Sequence, residues 1–316
     1  MSRISVVHSG ATRGRPYAAI GARLRVGGHT GPLHLVPHQV AACDVSLYVA
    51  DMNLSSAELI EANISAFLME MGAAGGGETR SDAEIGWTVG GSPLSYHNAV
   101  VRCDAAPERA DALIDEWLAE LRPRALPGSW HVSPSMTPAD LPERLVGRGF
   151  LDGGEEPAML ADLAAPLPGV GDNHDLQIAR VRDDAGMVTY RDVLAAGFGE
   201  GPREAEWVSS VFRSIGLGDD AAWRHYVGRL DGTAVSTVSL LVKSGVAGIY
   251  FVCTVPDVRR RGFGVAITRH GMLEARAIGC SAVVIGASSM GYRVYTRLGF
   301  EEIFRYRLFE WTPDAK

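Results

Sequence analysis

Apolar and polar positions along the chain fall into two periods, one helical and one alternating. Leu59, Ile60, Ile64, Phe67, Leu68 and Met71 recur at three- and four-residue steps, which predicts one stripe of an amphipathic helix. Ser55-Ser-Ala-Glu58 marks its start as a capping box, with Leu54 and Leu59 in the staple positions. The glycines from Gly72 to Gly77 predict its end. Asn98–Cys103 alternates as a strand. Pro107–Arg122 places Ala110, Leu113, Ile114, Trp117, Leu118 and Leu121 on one helical face. Trp130–Ser133 reads as a strand. Thr137-Pro-Ala-Asp140 reads as a helix start with proline at the first helical position. That helix stops near Gly149-Phe150, and Ala158–Leu163 is a closing strand.

The pattern then restarts. Leu176–Val181 is a strand, and helical stretches follow over 185–197 and 203–215. Arg224–Leu230 and Ala234–Val242 are β-rich and joined by Asp231-Gly232, a hairpin signal. Ala247–Val255 is a strand, Gly262–Ile278 a helix closed by Gly279, Ala282–Ile285 a strand, Met290–Leu298 a helix and Ile303–Trp311 a last strand. Residues 166–175, rich in Pro and Gly, read as the linker between two halves.

Composition narrows the class. The chain has 316 residues, 47% of them hydrophobic and 21% charged, which fits a folded protein of two domains. No run of about 18 apolar residues predicts a membrane span. A net charge of −7 argues against a nucleic-acid partner. Lys243 and Lys316 are the only lysines, and neither sits in a Walker loop. Cys43, Cys103, Cys253 and Cys280 are scattered, which fits neither a zinc site nor a disulfide framework and suits a cytoplasmic protein. Residues 1–50 hold five arginines, one aspartate, and no lysine or glutamate. They read as a tail or an upstream extension, since Met52 stands directly before the first helix signal; an organelle transit peptide is the other reading.

The candidate chemistry lies in Val255-Pro-Asp-Val-Arg259-Arg-Arg-Gly262-Phe-Gly264, between a strand and an amphipathic helix. Gly262 and Gly264 let backbone amides approach a ligand, and amides at a helix start favour an anion. Arg259, Arg260 and Arg261 add positive charge. A diphosphate suits this loop. The loop lacks GxGxxG and follows a hairpin-linked β run, so a dinucleotide is disfavoured.

Residues 176–311 resemble a GCN5-related N-acetyltransferase (GNAT) domain. Arg259-Arg-Arg-Gly-Phe-Gly264 matches the family's acyl-CoA pattern of Gln or Arg, two residues, Gly, one residue, and Gly or Ala. Tyr295-Thr-Arg-Leu-Gly-Phe300 is similar to the family's Tyr-x-x-x-Gly-Phe ending, and the order of elements agrees. The resemblance implies acetyl-CoA as co-substrate and no metal. It implies that backbone groups of Val252, Cys253 and Thr254 bond the pantetheine in a strand splayed by a bulge. Amides of Arg260, Arg261, Gly262, Phe263, Gly264 and Val265 would hold the diphosphate. Ser288 stands where many relatives carry Asn. Tyr295 is the implied general acid for the departing thiolate, and Tyr292 a packing residue. Many relatives use a Glu on the strand before the loop as base, but Tyr250–Thr254 offers no carboxylate. A water chain or Glu200, Glu204 or Glu206 are substitutes, although those acids also suit a solvated helix face. Cys253 reads as a small apolar strand residue rather than a nucleophile.

At an offset of 150 residues, Arg148-Gly149-Phe150 falls on Leu298-Gly299-Phe300, and the strand at Asn98 falls on the one at Gly248. The fold expected is therefore α/β, with two tandem GNAT-like domains, each a mixed, mostly antiparallel sheet flanked by helices. Residues 51–165 form the degenerate copy and 176–316 the catalytic one. The first copy reads Cys103-Asp-Ala-Ala-Pro-Glu-Arg109 where the loop should be, with no glycine pair and with Asp104 and Glu108 opposing an anion. It is expected to shape the pocket or support the sheet. The expected reaction moves an acetyl group from acetyl-CoA to a primary amine, either a small molecule or a peptide. A mycothiol-synthase-like acetyltransferase and a non-catalytic CoA-binding protein are the alternatives.

Overall fold

The computed structural model describes residues 54–169, 173, 175–198 and 201–313. The expectations for residues 1–50 and for Glu200 lie outside the described residues. Helix α1 (Ser56–Ala74) begins as its sequence signal predicts. Ser55 Oγ accepts from the Glu58 amide at 3.3 Å, and Glu58 Oε2 accepts from the Ser55 amide at 2.7 Å. The first half continues with β1 (Glu78–Ser81), β2 (Ile85–Val89), β3 (Asn98–Cys103), α2 (Pro107–Leu121), β4 (Gly128–Val132), α3 (Leu141–Gly147) and β5 (Leu151–Asp162). The second half holds β6 (Leu176–Arg180), α4 (Asp184–Gly197), α5 (Pro202–Ile215), β7 (Trp223–Leu230), β8 (Thr233–Lys243), β9 (Val246–Thr254), α6 (Phe263–Ala277), β10 (Ala282–Gly286), α7 (Tyr292–Arg297) and β11 (Glu301–Trp311).

Two details differ from the sequence pattern. Helix α3 starts at Leu141, not Pro138. A helix begun at Pro138 would need an N–H on residue 142 to reach the Pro138 carbonyl, and residue 142 is proline. The β1–β2 hairpin was not expected. β1 is polar and largely exposed, and β2 is buried at every position, so neither alternates.

All eleven strands belong to one sheet, ordered β1-β2-β3-β4-β11-β5-β10-β9-β8-β7-β6. Its neighbours are antiparallel except for β3 with β4 and β9 with β10. Read outward from the β5–β11 pair, each side begins with a parallel pair, β4–β3 on one side and β10–β9 on the other, followed by antiparallel strands, with β6 as one extra edge strand in the second half; the repeat inferred from sequence is visible in this topology. Each half gives its last strand to the other. β5 pairs with β10 through Ala158 and Gly286, and β11 pairs with β4 through Phe309 and Trp130. The two given strands pair with each other from Leu151–Leu160 to Glu301–Glu310. The linker near Pro166 therefore does not divide the sheet.

Alternate residues of each strand supply two faces. Ala99, Val101, Ala158 and Tyr250 face the layer of α1, α4 and α5. Val100 faces α2 and α3, whereas Met159 and Ile249 face α6 and α7. Helix α1 crosses the middle of the sheet and touches strands of both halves.

Candidate active site

Strands β9 and β10 run parallel and pair only over Val246–Gly248 with Ala282–Val284. Beyond that point they part. The cause is visible in β9, where the register to β8 jumps between Thr237–Cys253 and Ser239–Tyr250, leaving one extra residue in β9. Phe251 takes up the bulge at φ +51°, a left-handed backbone that a bulky residue rarely adopts. Its ring is held against Phe67, Phe198 and Phe212 with centroids 5.6–5.9 Å apart. Aromatic packing thus offsets the backbone strain and keeps the slot open. Val252, Cys253 and Thr254 follow the bulge in β9, beyond the last pairing with β10.

Past the slot the chain turns into α6. Gly262 caps this helix at φ +87°, where a side chain would be strained, and Arg260 is also left-handed at φ +64°. The first intrahelical bond runs from the Ala266 amide to the Gly262 carbonyl at 3.0 Å. The amides of Phe263, Gly264 and Val265 therefore have no carbonyl behind them in the helix and carry its positive dipole end. The Phe263 ring is buried under the sheet, and Gly264 and Val265 are half-buried.

The three arginines divide. The Arg259 guanidinium donates to the Thr254 carbonyl at 2.9 Å and the Gly197 carbonyl at 2.8 Å. It braces the loop against β9 and the end of α4. Arg261 lies 5.2 Å from the Phe263 ring centre, and its carbonyl accepts from Asn173 Nδ2 at 2.9 Å. Arg260 and Arg261 are exposed at the mouth of the loop. Ser288 is buried, and its Oγ accepts from the Gly291 amide at 3.0 Å, shaping the turn into α7. The Cys253 thiol lies 3.1 Å from Thr237 Oγ1, and burial pushes it up to about 11, so it is a protonated thiol at neutral pH.

Tyr295 sits on α7, directly after β10, packed against Phe300 and the backbone of Gly291. Burial raises its phenol above the ordinary value, and the charge of Glu156 adds to the rise. Tyr292, one turn earlier, is half-buried beside Glu302. Of the three acids considered from sequence, Glu206 is exposed and pairs with Arg191 at 3.3 Å. Glu204 is fully buried and accepts a hydrogen bond from Tyr96, so it is not on a solvated face.

The sequence reading missed Glu156. This residue is on β5, opposite Tyr306 of β11, and only 7% exposed. Its Oε1 has no hydrogen-bond partner. A β-carbon on Gly286 would stand 2.6 Å from that oxygen, so a side chain there would displace the carboxylate. Glu156 and Gly286 line a small cavity with Tyr250 of β9, His131 of β4 and Tyr306 of β11, roofed by Ile64 and Phe67 of α1. The free space is about 20 Å³, room for one water. Its position is specific: Tyr250 and Gly286 come from the two strands that have just parted. Among the described residues no cluster of three His, Cys, Asp or Glu could hold a metal.

Comparison with known proteins agrees with this geometry. The FR47-like protein family matches residues 226–309, which span β7 to β11 and include the slot and the loop. No curated protein matches the sequence. Among solved structures, a GCN5-related N-acetyltransferase from Kribbella flavida is similar with a TM-score of 0.61 at 15% identity, over 80% of this chain and 95% of that one. A conserved protein of unknown function from Staphylococcus epidermidis has a TM-score of 0.56 at 14% identity, over 75% of this chain and 94% of that one. A GCN5-related N-acetyltransferase from Sphaerobacter thermophilus has a TM-score of 0.52 at 19% identity, over 64% of this chain and 66% of that one. The 80% coverage extends well beyond residues 176–316, so the likeness takes in the first half too. The chain thus has the GCN5-related N-acetyltransferase fold in a tandem arrangement, with its FR47-like segment built around the parted strands β9 and β10.

Proposed function

We propose that this protein moves an acetyl group from acetyl-CoA to a primary amine, with Tyr295 as the general acid. The parting of β9 from β10 beside the open first turn of α6 carries this reading. An extended thiol-terminated arm fits along Val252–Thr254 as an added strand, and its diphosphate fits the amides of residues 260–265. A backbone N–H in the slot polarises the acyl carbonyl as charge develops on its oxygen. The amine attacks the carbonyl carbon, and collapse of the tetrahedral intermediate expels the thiolate. Tyr295 donates its proton to that sulfur. Burial raises the phenol, but the same burial makes the departing thiolate more basic, so the transfer stays matched.

The first half serves the site rather than binding a second donor. At the position of the loop it has Cys103–Arg109, where Asp104 bridges to Thr137 and no glycine opens the backbone. The acceptor is a small-molecule or peptide amine in the cytoplasm, and the net charge of −7 favours a cationic one.

Isothermal titration with acetyl-CoA tests the donor site. A dissociation constant below millimolar is expected, and no binding up to millimolar concentrations overturns the proposal. Tyr295→Phe tests the acid: turnover should drop by about 100-fold while acetyl-CoA affinity stays within threefold. Equal loss of binding would make Tyr295 a packing residue.

A further inference from the structure

We propose that Glu156, placed beside β10 by the exchanged strand β5, is the general base that deprotonates the acceptor ammonium. The inference rests on the acetyl-transfer reading above and adds a residue from the other half of the chain.

Three independent observations meet at this carboxylate. It is more than nine-tenths buried, and its Oε1 has no hydrogen-bond partner. A buried acceptor left unsatisfied is unfavourable, more so when charged, so the fold holds it there against a standing penalty. Second, the oxygen faces a cavity with room for one small polar atom. Third, that cavity opens where β9 and β10 separate, between Tyr250 and Gly286. Glu156 stands on the α1 face of the sheet, whereas Tyr295 packs on the α6 face. Base and acid thus flank the slot from opposite sides, with the acyl carbon between them.

The surroundings suit an ammonium guest. His131 of β4 lines the same cavity, but burial pushes it down to about 3, so it is neutral. Tyr250 from β9, Tyr306 from β11 and Tyr295 from α7 are all raised by burial and stay protonated. Helix α1 contributes Ile64 and Phe67, which are apolar. None of these groups is a cation, so an entering ammonium would be the positive charge nearest the carboxylate. Burial pushes Glu156 itself up to about 8, close to the working range of a general base. The proton account closes. The ammonium gives one proton to the Glu156 carboxylate, directly or through one water, and the free amine attacks. Tyr295 protonates the sulfur and regains a proton from the amide nitrogen of the intermediate. Glu156 then returns its proton to solvent.

The test measures thiol release from acetyl-CoA across an amine panel, from pH 6 to 9.5, for wild type, Glu156→Gln, Glu156→Asp and Tyr295→Phe, alongside acetyl-CoA affinity. The expected result is that Glu156→Gln lowers kcat/KM at least 100-fold with acetyl-CoA affinity unchanged. Wild-type kcat/KM should rise with pH through an ionisation near 8, and that limb should vanish in the Gln variant and return in the Asp variant at lower rate. If wild type turns over while Glu156→Gln stays within threefold and keeps the limb, the base assignment is overturned and acetyl transfer stands. If both Glu156 variants lose acetyl-CoA binding, Glu156 is structural and the assignment is overturned. If wild type releases no thiol with any amine, acetyl transfer falls, and the base assignment with it.

Discussion

At the scale of the residue, Gly286 and Glu156 form one unit. The carboxylate occupies the place of a side chain that Gly286 lacks. Gly286→Ala should push the carboxylate out of line, because its Oε1 is the far end of a flexible side chain and yields more easily than backbone. Turnover should fall about tenfold or more, with acetyl-CoA affinity unchanged and the melting temperature within a few degrees; unchanged turnover would show the contact to be idle. Residue identity was legible where chemistry is local. Gly262 could be read from sequence because the turn into α6 needs its left-handed backbone. The charge of Arg259 is plain in the sequence, but its backbone partners, the carbonyls of Thr254 and Gly197, are not. Glu156 was illegible for a different reason. It follows Glu155 in a polar run before the expected strand at Ala158, and its burial arises from elements distant in sequence, among them β10 and β11, more than 120 residues downstream.

At the scale of the element, periodicity located most helices and strands to within a few residues, since each buries a single stripe or face. The Asp231-Gly232 signal became a turn with both residues left-handed, at φ +49° and +80°, as a two-residue hairpin requires. The capping box of α1 is equally local. Ser55→Ala should lower stability by about 1 kcal/mol, measured by denaturant titration, without changing the slope of the transition. The resemblance implied a bulge in this strand, but the apolar pattern did not place it at Phe251, because one inserted residue reads as a change of face, not as a kink. Its strain is held in place by the rings around it, so Phe212→Ala should loosen β9 as well as leave a hole. An expected loss of about 3–5 kcal/mol in stability would accompany weaker acetyl-CoA binding.

At the scale of the whole molecule, stability follows protons that the fold refuses or retains. Burial pushes His97, His131 and His225 down to about 3, below their unfolded value near 6.5. Unfolding at pH 4–6 therefore takes up protons, and stability contributed by the neutral imidazoles is lost as pH falls below about 6.5. Glu156 acts in the opposite sense. Its folded value near 8 lies above the unfolded 4.5, so its contribution is lost as pH rises from about 4.5 through 8. From these four groups stability should peak close to pH 7. Glu156→Gln should shift that peak upward, as chemical denaturation across pH 5–9 would show. The topology makes a second prediction. Residues 176–316 alone lack β5, so β10 loses its antiparallel partner and β11 loses its longest ladder. That fragment should not give a cooperative thermal transition, whereas residues 54–316 should give a single one.

The exchanged strands also set a timetable for synthesis. β5 leaves the ribosome roughly 150 residues before β11 is finished, an interval of about 8–30 s at common elongation rates. For most of that interval the nascent chain presents three unpaired strand edges, one on β4 and both on β5, whose partners have not been made. Closure of the sheet must then await the last few residues of the described chain. Protease digestion of ribosome-stalled chains should find the first half cleavable until β11 has emerged, and resistant at once thereafter. Protection already complete at residue 165 would show that the first half closes on itself and exchanges strands later.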